Sequence, residues 1–121
     1  MAKKILIIED DPDIVKLIAC KLESAGFEVI IAPDAILGIN AIFNKKPDVI
    51  LLDLILPAGG GLAVIDSMMQ SMHTNRIPII VTTSIEDEEY KRKVLEKGAA
   101  AFIQKPYTIS QVLTEINRVC L

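Results

Sequence analysis

Pro47-Asp48-Val49-Ile50-Leu51-Leu52-Asp53-Leu54-Ile55-Leu56-Pro57 is the stretch whose reading decides the fold. Residues 49–52 are continuously apolar, the pattern of a central parallel strand covered by helices on both faces. Asp53 interrupts the run near its C-terminal end. A carboxylate is almost never fully buried without a partner. In an open parallel sheet, ligands bind in the crevice at the carboxyl ends of the strands, so Asp53 is expected to face that crevice. The competing explanation is a loop aspartate that caps the next helix. Pro57, Gly59, Gly60 and Gly61 weaken it, because they delay the next helix well beyond Asp53.

The same alternation extends in both directions from this strand. Residues 4–8 are a short apolar run that stops at Glu9-Asp10-Asp11. Pro12 then suits the first turn of a helix, with Asp11 as its cap. Ile14, Leu17, Ile18, Leu22 and Ala25 recur at helical spacing, and Gly26 ends that helix. Residues 27–31 read as a second strand. Pro33-Asp34 opens a second helix with Ile39, Ile42 and Phe43 on its inner face. After the central strand, a helix is expected over about 62–72 and a strand over 79–82. Glu86-Asp87-Glu88-Glu89 forms the acidic first turn of a fourth helix that ends at Lys97-Gly98. Residues 101–104 make a fifth strand, and 108–119 a last helix. Five βα units with short connections require a parallel sheet with right-handed crossovers and helices on both faces. The expected class is α/β, a doubly wound (βα)5 sheet in the flavodoxin-like order 2-1-3-4-5.

Composition narrows the function classes. A chain of 121 residues fits one domain with a real core. Hydrophobic residues at 51% against 24% charged exclude a disordered chain. A net charge of -3 argues against a direct nucleic-acid surface. No apolar run reaches the ~20 residues of a membrane span. The N-terminus lacks a leader-type cleavage site, and no output domain is expected after the last helix. Cys20 and Cys120 form no CxxC pair and read as free thiols of a reducing, cytoplasmic compartment. His73 has no ligand companions and reads as a surface residue. Met68, Met69 and Met72 read as core or groove packing.

Glu9 and Asp10 follow the first strand, Asp53 lies at the third, Thr83 follows the fourth and Lys105 the fifth. In the 2-1-3-4-5 order, strands one and three are neighbours, so Glu9, Asp10 and Asp53 converge. Clustered carboxylates repel one another unless a cation joins them, and oxygen ligands with room for water suit Mg²⁺. Metal, ammonium and hydroxyl around one carboxylate make a site for a phosphoryl group. Taken singly, each residue has an ordinary reading. Glu9-Asp10-Asp11 could be a solvated cap, Thr83 a strand-end hydroxyl, Lys105 a surface lysine and Phe102 a core residue.

The segments Ile7-Ile8-Glu9-Asp10-Asp11-Pro12, residues 47–54, Pro57 with Gly61, Pro78-Ile79-Ile80-Val81-Thr82-Thr83-Ser84, Gly98-Ala99 and Gln104-Lys105-Pro106-Tyr107 occur in this order. Together they resemble the receiver domain of two-component response regulators, similar to the single-domain chemotaxis type, over residues 1–121. The resemblance implies that Asp53 accepts a phosphoryl group from a sensor histidine kinase or phosphotransfer protein. It implies that Glu9, Asp10, Asp53 and the backbone carbonyl of Ile55 hold Mg²⁺, and that Lys105 pairs with the phosphate. Thr83 would hydrogen-bond the phosphoryl group, Phe102 would be the switch aromatic, and Ser84 would be the small residue that lets a donor approach. Ile55 and Ile85 would flank the path of the hydrolytic water. Output to a downstream target protein would run through the fourth helix, fifth strand and fifth helix. Such a domain is a signalling switch, catalysing only its own phosphorylation and dephosphorylation. No direct nucleic-acid or membrane contact is expected, and the implied state is a monomer or a weak phosphorylation-dependent dimer.

Other classes fail on particular residues. A dinucleotide enzyme needs Gly-x-Gly-x-x-Gly where Glu9-Asp10-Asp11-Pro12 stands. A P-loop ending in Lys-Ser or Lys-Thr is absent. A haloacid-dehalogenase-type phosphatase needs a second aspartate two residues after the first, and Ile55 is there. The remaining alternative is a degenerate receiver that serves as a phosphorylation-independent protein-binding module. One further expectation concerns Ile36 and Leu37. Adjacent on one helix, they cannot both be buried along with Ile39, Ile42 and Phe43, so a partly exposed apolar patch is expected there.

Overall fold

The computed structural model describes residues 2–57 and 59–120. Its elements run β1 (Lys4–Ile8), α1 (Pro12–Ser24), β2 (Glu28–Ala32), α2 (Ala35–Lys45), β3 (Val49–Asp53), α3 (Gly60–Met69), β4 (Ile79–Thr83), α4 (Glu88–Glu96), β5 (Ala101–Gln104) and α5 (Ile109–Val119). All strand pairs are parallel, in the order β2-β1-β3-β4-β5. The expected strand order therefore holds. All five residues of β3 and all five of β4 are buried. Alternate strand residues feed two separate cores. Leu6, Ile8, Ile50, Leu52, Ile79 and Val81 pack with α2, α3 and α4. Ile5, Ile7, Val49, Leu51 and Ile80 pack with α1 and α5.

Local chemistry sets the helix starts. Asp11 Oδ1 accepts the N–H groups of Asp13 at 3.0 Å and Ile14 at 3.4 Å, and Pro12 is the first helical residue. Asp34 and Asp87 cap α2 and α4 in the same way. Thr108 caps α5 reciprocally with Gln111, so that helix begins one residue later than expected.

Several expected faces are corrected. On α1 the buried stripe is Val15, Ile18, Ala19 and Leu22, while Leu17 is 60% exposed. Apolar spacing admits either stripe, and the sheet selects the one with the smaller residues. On α2 the buried stripe is Ala35, Gly38 and Ile42. A Cβ at Gly38 would stand 2.7 Å from Ile8 Cδ1, so this helix sits very close to β1. That proximity turns Phe43 outward, 44% exposed, together with Ile36 and Leu37. The expected apolar patch on α2 is present and gains Phe43. Helix α3 ends at Met69 rather than Met72, and Met72 lies almost fully in solvent instead of packing. Strand β2 is shifted by one residue to Glu28–Ala32, because the Phe27 N–H still bonds back to the Leu22 carbonyl of α1. Strand β4 runs one residue further, to Thr83. No helix among the described residues is long and apolar enough to cross a membrane.

Candidate phosphoryl-transfer site

Glu9, Asp53, Thr83 and Lys105 come together at the carboxyl ends of β1, β3, β4 and β5. Asp53 is the last residue of β3 and is in register with Thr82 of β4. Glu9 follows β1 directly, tied to β2 by its N–H to the Ala32 carbonyl at 3.1 Å. Both carboxylates are buried, at 4% and 6% exposure, so each needs a partner. Lys105 is that partner. Its Nζ donates to Glu9 Oε1 at 2.8 Å and to Asp53 Oδ2 at 3.1 Å. The second oxygen of each carboxylate accepts a backbone N–H: Asp11 to Glu9 Oε2 at 3.3 Å and Ile55 to Asp53 Oδ1 at 3.1 Å. Lys105 is itself anchored by its own N–H to the Thr83 carbonyl at 2.8 Å.

Asp10 is exposed, yet one oxygen from each of Glu9, Asp10 and Asp53 lies within 4.8 Å of the others. Three carboxylates outnumber the one ammonium, and the oxygen-only donor set with an open, wet side matches the preferences of Mg²⁺. Burial raises the Glu9 pKa, and neighbouring Asp53 adds to the rise against the pull of Lys105. For Lys105, burial opposes the charge, but the bonds to Glu9 and Asp53 outweigh it and the pKa is raised. Lys105 is thus held as a cation.

Thr83 is fully buried, and its Oγ1 accepts the Ile85 N–H at 3.2 Å, turned toward its own loop and away from a bond to Asp53. Phe102 is partly buried with Lys91 Nζ 5.6 Å above its ring. Ile55 is 57% exposed beside Asp53, Ser84 is exposed, and Ile85 is half-buried. His73 lies on the surface, and both cysteines are free. Sequence reading missed Tyr107, which lines a cavity of about 500 Å³ between α1 and α5 with Ile14, Leu17, Lys105 and Ile109. Burial pushes its phenol up to about 12, with Lys105 pulling the other way. A phenol held neutral in the fold stabilises below the unfolded pKa of about 10, and that contribution is lost as pH rises from about 10 through 12. Tyr107→Phe is expected to remove this alkaline loss, which is smaller than the full shift implies because the phenol is partly exposed and screened by solvent. The check is unfolding free energy at pH 9 and above, wild type against variant.

Comparison with known proteins agrees with this geometry. The family described as "Response regulator receiver domain" matches residues 5–117. The phosphate regulon transcriptional regulatory protein PhoB of Escherichia coli is 34% identical over 119 residues, 98% of this chain and 52% of that protein. The chain therefore spans about half the length of the curated relatives it matches. A CheY-like response regulator receiver domain from Methanospirillum hungatei is 30% identical with a TM-score of 0.90, covering 98% of this chain and 93% of that one. The chemotaxis response regulator CheY4 of Vibrio cholerae, 24% identical, shares the fold with a TM-score of 0.92 over 98% of this chain and 99% of its own.

Proposed function

Because this chain belongs to the response regulator receiver domain family of two-component systems, we propose that Asp53 is its phosphoacceptor and that the acidic cluster binds Mg²⁺. The observation that carries the reading is the buried Asp53 carboxylate, joined through Lys105 to Glu9 at the switch point of the sheet. An Asp53 oxygen attacks the phosphorus of a phosphohistidine, the P–N bond breaks, and an acyl phosphate forms. Glu9, Asp10, Asp53 and the Ile55 carbonyl would hold Mg²⁺, which supplies charge neutralisation on the transferring oxygens. Lys105, bonded to Asp53 at 3.1 Å, would pair with the incoming phosphate, and exposed Ser84 would leave the donor room to approach. The domain, residues 1–121, acts as a cytoplasmic signalling switch. Its donor is a sensor histidine kinase or phosphotransfer protein, its readout a downstream target protein, and its state a monomer or weak phosphorylation-dependent dimer. The test is intact-mass analysis after acetyl phosphate treatment. One phosphoryl addition is expected with Mg²⁺ and little with chelator. No uptake under either condition favours the degenerate, binding-only receiver.

Output is assigned to α4, β5 and α5. Glu88 and Lys91 of α4, Phe102 and Gln104 of β5, and Gln111 and Glu115 of α5 share one groove of about 500 Å³. Thr83 lies between the two in the sheet, in register with Gln104 of that groove and next to Thr82, the register partner of Asp53. Thr83→Ala is expected to keep phosphoryl uptake within a few-fold of wild type while the shift changes over α4–β5–α5 shrink. Chemical-shift mapping of the two proteins with and without acetyl phosphate decides. Changes confined to the α1–α2 side would assign output elsewhere.

The acyl phosphate is expected to be long-lived. By the family pattern Ile55 and Ile85 would flank the phosphoryl position, and neither can accept a hydrogen bond from an attacking water. Both are β-branched and stiff, which adds shielding. A water-orienting hydrogen bond is worth about 0.5–1.5 kcal/mol, or a few-fold to roughly tenfold in rate. Ile55→Asn and Ile85→Glu should each accelerate phosphoryl decay by about that factor. Decay no faster than wild type would remove these side chains from control of the lifetime.

A further inference from the structure

Gln104 closes β5 directly before Lys105. Its Nε2 is buried and has no hydrogen-bond partner, alone in that respect among the buried side-chain polar atoms of the described residues. A buried amide that pairs with nothing is uncommon in a native fold, and each instance calls for a cause. Position supplies one. Gln104 is the register partner of Thr83 on the neighbouring strand. Side chains alternate along a strand. Val81 and Phe102 face the core under α3 and α4, whereas Ile80, Ala101 and Ile103 face the other. Thr83 and Gln104 therefore point to the same side as Val81 and Phe102, into the region beneath the loop that joins β4 to α4. Gln104 also lines the α4–α5 groove with Phe102 and Lys91. In the present conformation the Ile85 N–H is bonded to Thr83 Oγ1, folding the loop on itself, and no oxygen of that loop is hydrogen-bonded to Gln104 Nε2.

We infer that Gln104 is a positioning residue for the switch: its amide pairs with an oxygen of the 83–87 segment only after that segment has moved inward. The inference rests on the receiver reading above, in which Thr83 turns toward a phosphoryl group on Asp53. That turn breaks the Ile85 N–H bond to Thr83 Oγ1 and so releases the backbone of the 83–87 segment, whose carbonyl oxygens can then approach Gln104. A hydrogen bond made in one of two states and absent from the other biases their equilibrium by about two- to tenfold. The orphan amide thus makes the resting state the less satisfied one and favours the switched state once Asp53 is loaded.

Beryllofluoride with Mg²⁺, standing in for the phosphoryl group, is the probe. Gln104→Met keeps the length and removes the amide. The variant is expected to be as stable as wild type or more so without beryllofluoride, and to bind it about three- to tenfold more weakly. In wild type, the Gln104 side-chain NH₂ resonances should shift and become protected from solvent exchange on beryllofluoride binding. This second readout needs no variant. Equal beryllofluoride affinity in wild type and Gln104→Met, with unchanged amide exchange, would overturn the inference and leave the receiver reading intact. A wild type that takes up no beryllofluoride would overturn both.

Discussion

Asp53→Asn is expected to abolish phosphoryl uptake completely. Asp53 is buried at the end of β3, bonded to Lys105 on one oxygen and to a backbone N–H on the other. Glu9 is comparably placed, but its side chain closes on Lys105 and on the Asp11 N–H from the β1 side. An amide in place of Asp53 keeps the shape, loses the nucleophile and can accept from only one of its two donors, Lys105 or the Ile55 N–H. Intact-mass analysis after acetyl phosphate and Mg²⁺ should show one addition in wild type and none in Asp53→Asn. An addition that persists in the variant would move the acceptor to another residue. The same substitution removes one of three carboxylates from a small volume, so the variant should fold at least as well as wild type. Its loss of uptake would then be a loss of chemistry.

Gly61→Ala should be the most damaging single methyl group in the chain. A Cβ at Gly61 would lie 2.6 Å from Leu54 Cα, 2.8 Å from the Asp53 carbonyl oxygen and 2.9 Å from that of Leu54. All three are backbone atoms of the segment that carries Asp53, and the Gly61 N–H is bonded to the Leu54 carbonyl at 2.9 Å. Backbone cannot rotate away as a side chain would. Overpacking of this kind costs about 1–3 kcal/mol, and here the upper end is expected. In a domain of this size that is a fall in Tm of roughly 10 °C. Gly26→Ala is the control. Gly26 has φ +97° but no atom within 4 Å of the added methyl, so only backbone strain of about 1 kcal/mol applies. Thermal unfolding of the two variants separates them, and equal stability would show that the β3–α3 turn yields.

The sheet was legible in the sequence because strands buried on both faces leave a strong mark. Val49, Ile50, Leu51 and Leu52 have no polar partner for any face, and they are buried as that requires. Asp53 was legible for the converse reason: one charge at the end of such a run must serve a site. What escaped was anything decided by how far a helix is rotated. Leu17 and Phe43 fit an apolar stripe as well as Val15 and Gly38 do, and only the closeness of Ile8 to Gly38 settles α2. Pairings across long separations also escaped. Lys105 and Glu9 are 96 residues apart, and nothing local to either shows that one bridges to the other. Gln104 reads as an ordinary polar residue, since the absence of a partner is a property of the assembled groove.

Strand β3 is hydrogen-bonded to β1 on one side and β4 on the other, and every one of its residues is buried. Its amides can exchange with solvent deuterium only when the whole sheet opens, whereas the loop after Thr83 can exchange through local fluctuation. Asp53 therefore sits on backbone expected to exchange slowly, beside a loop expected to exchange quickly. Under the function proposed above, loading Asp53 would leave its own strand where it is, and the message would be carried by the neighbouring segments that can move.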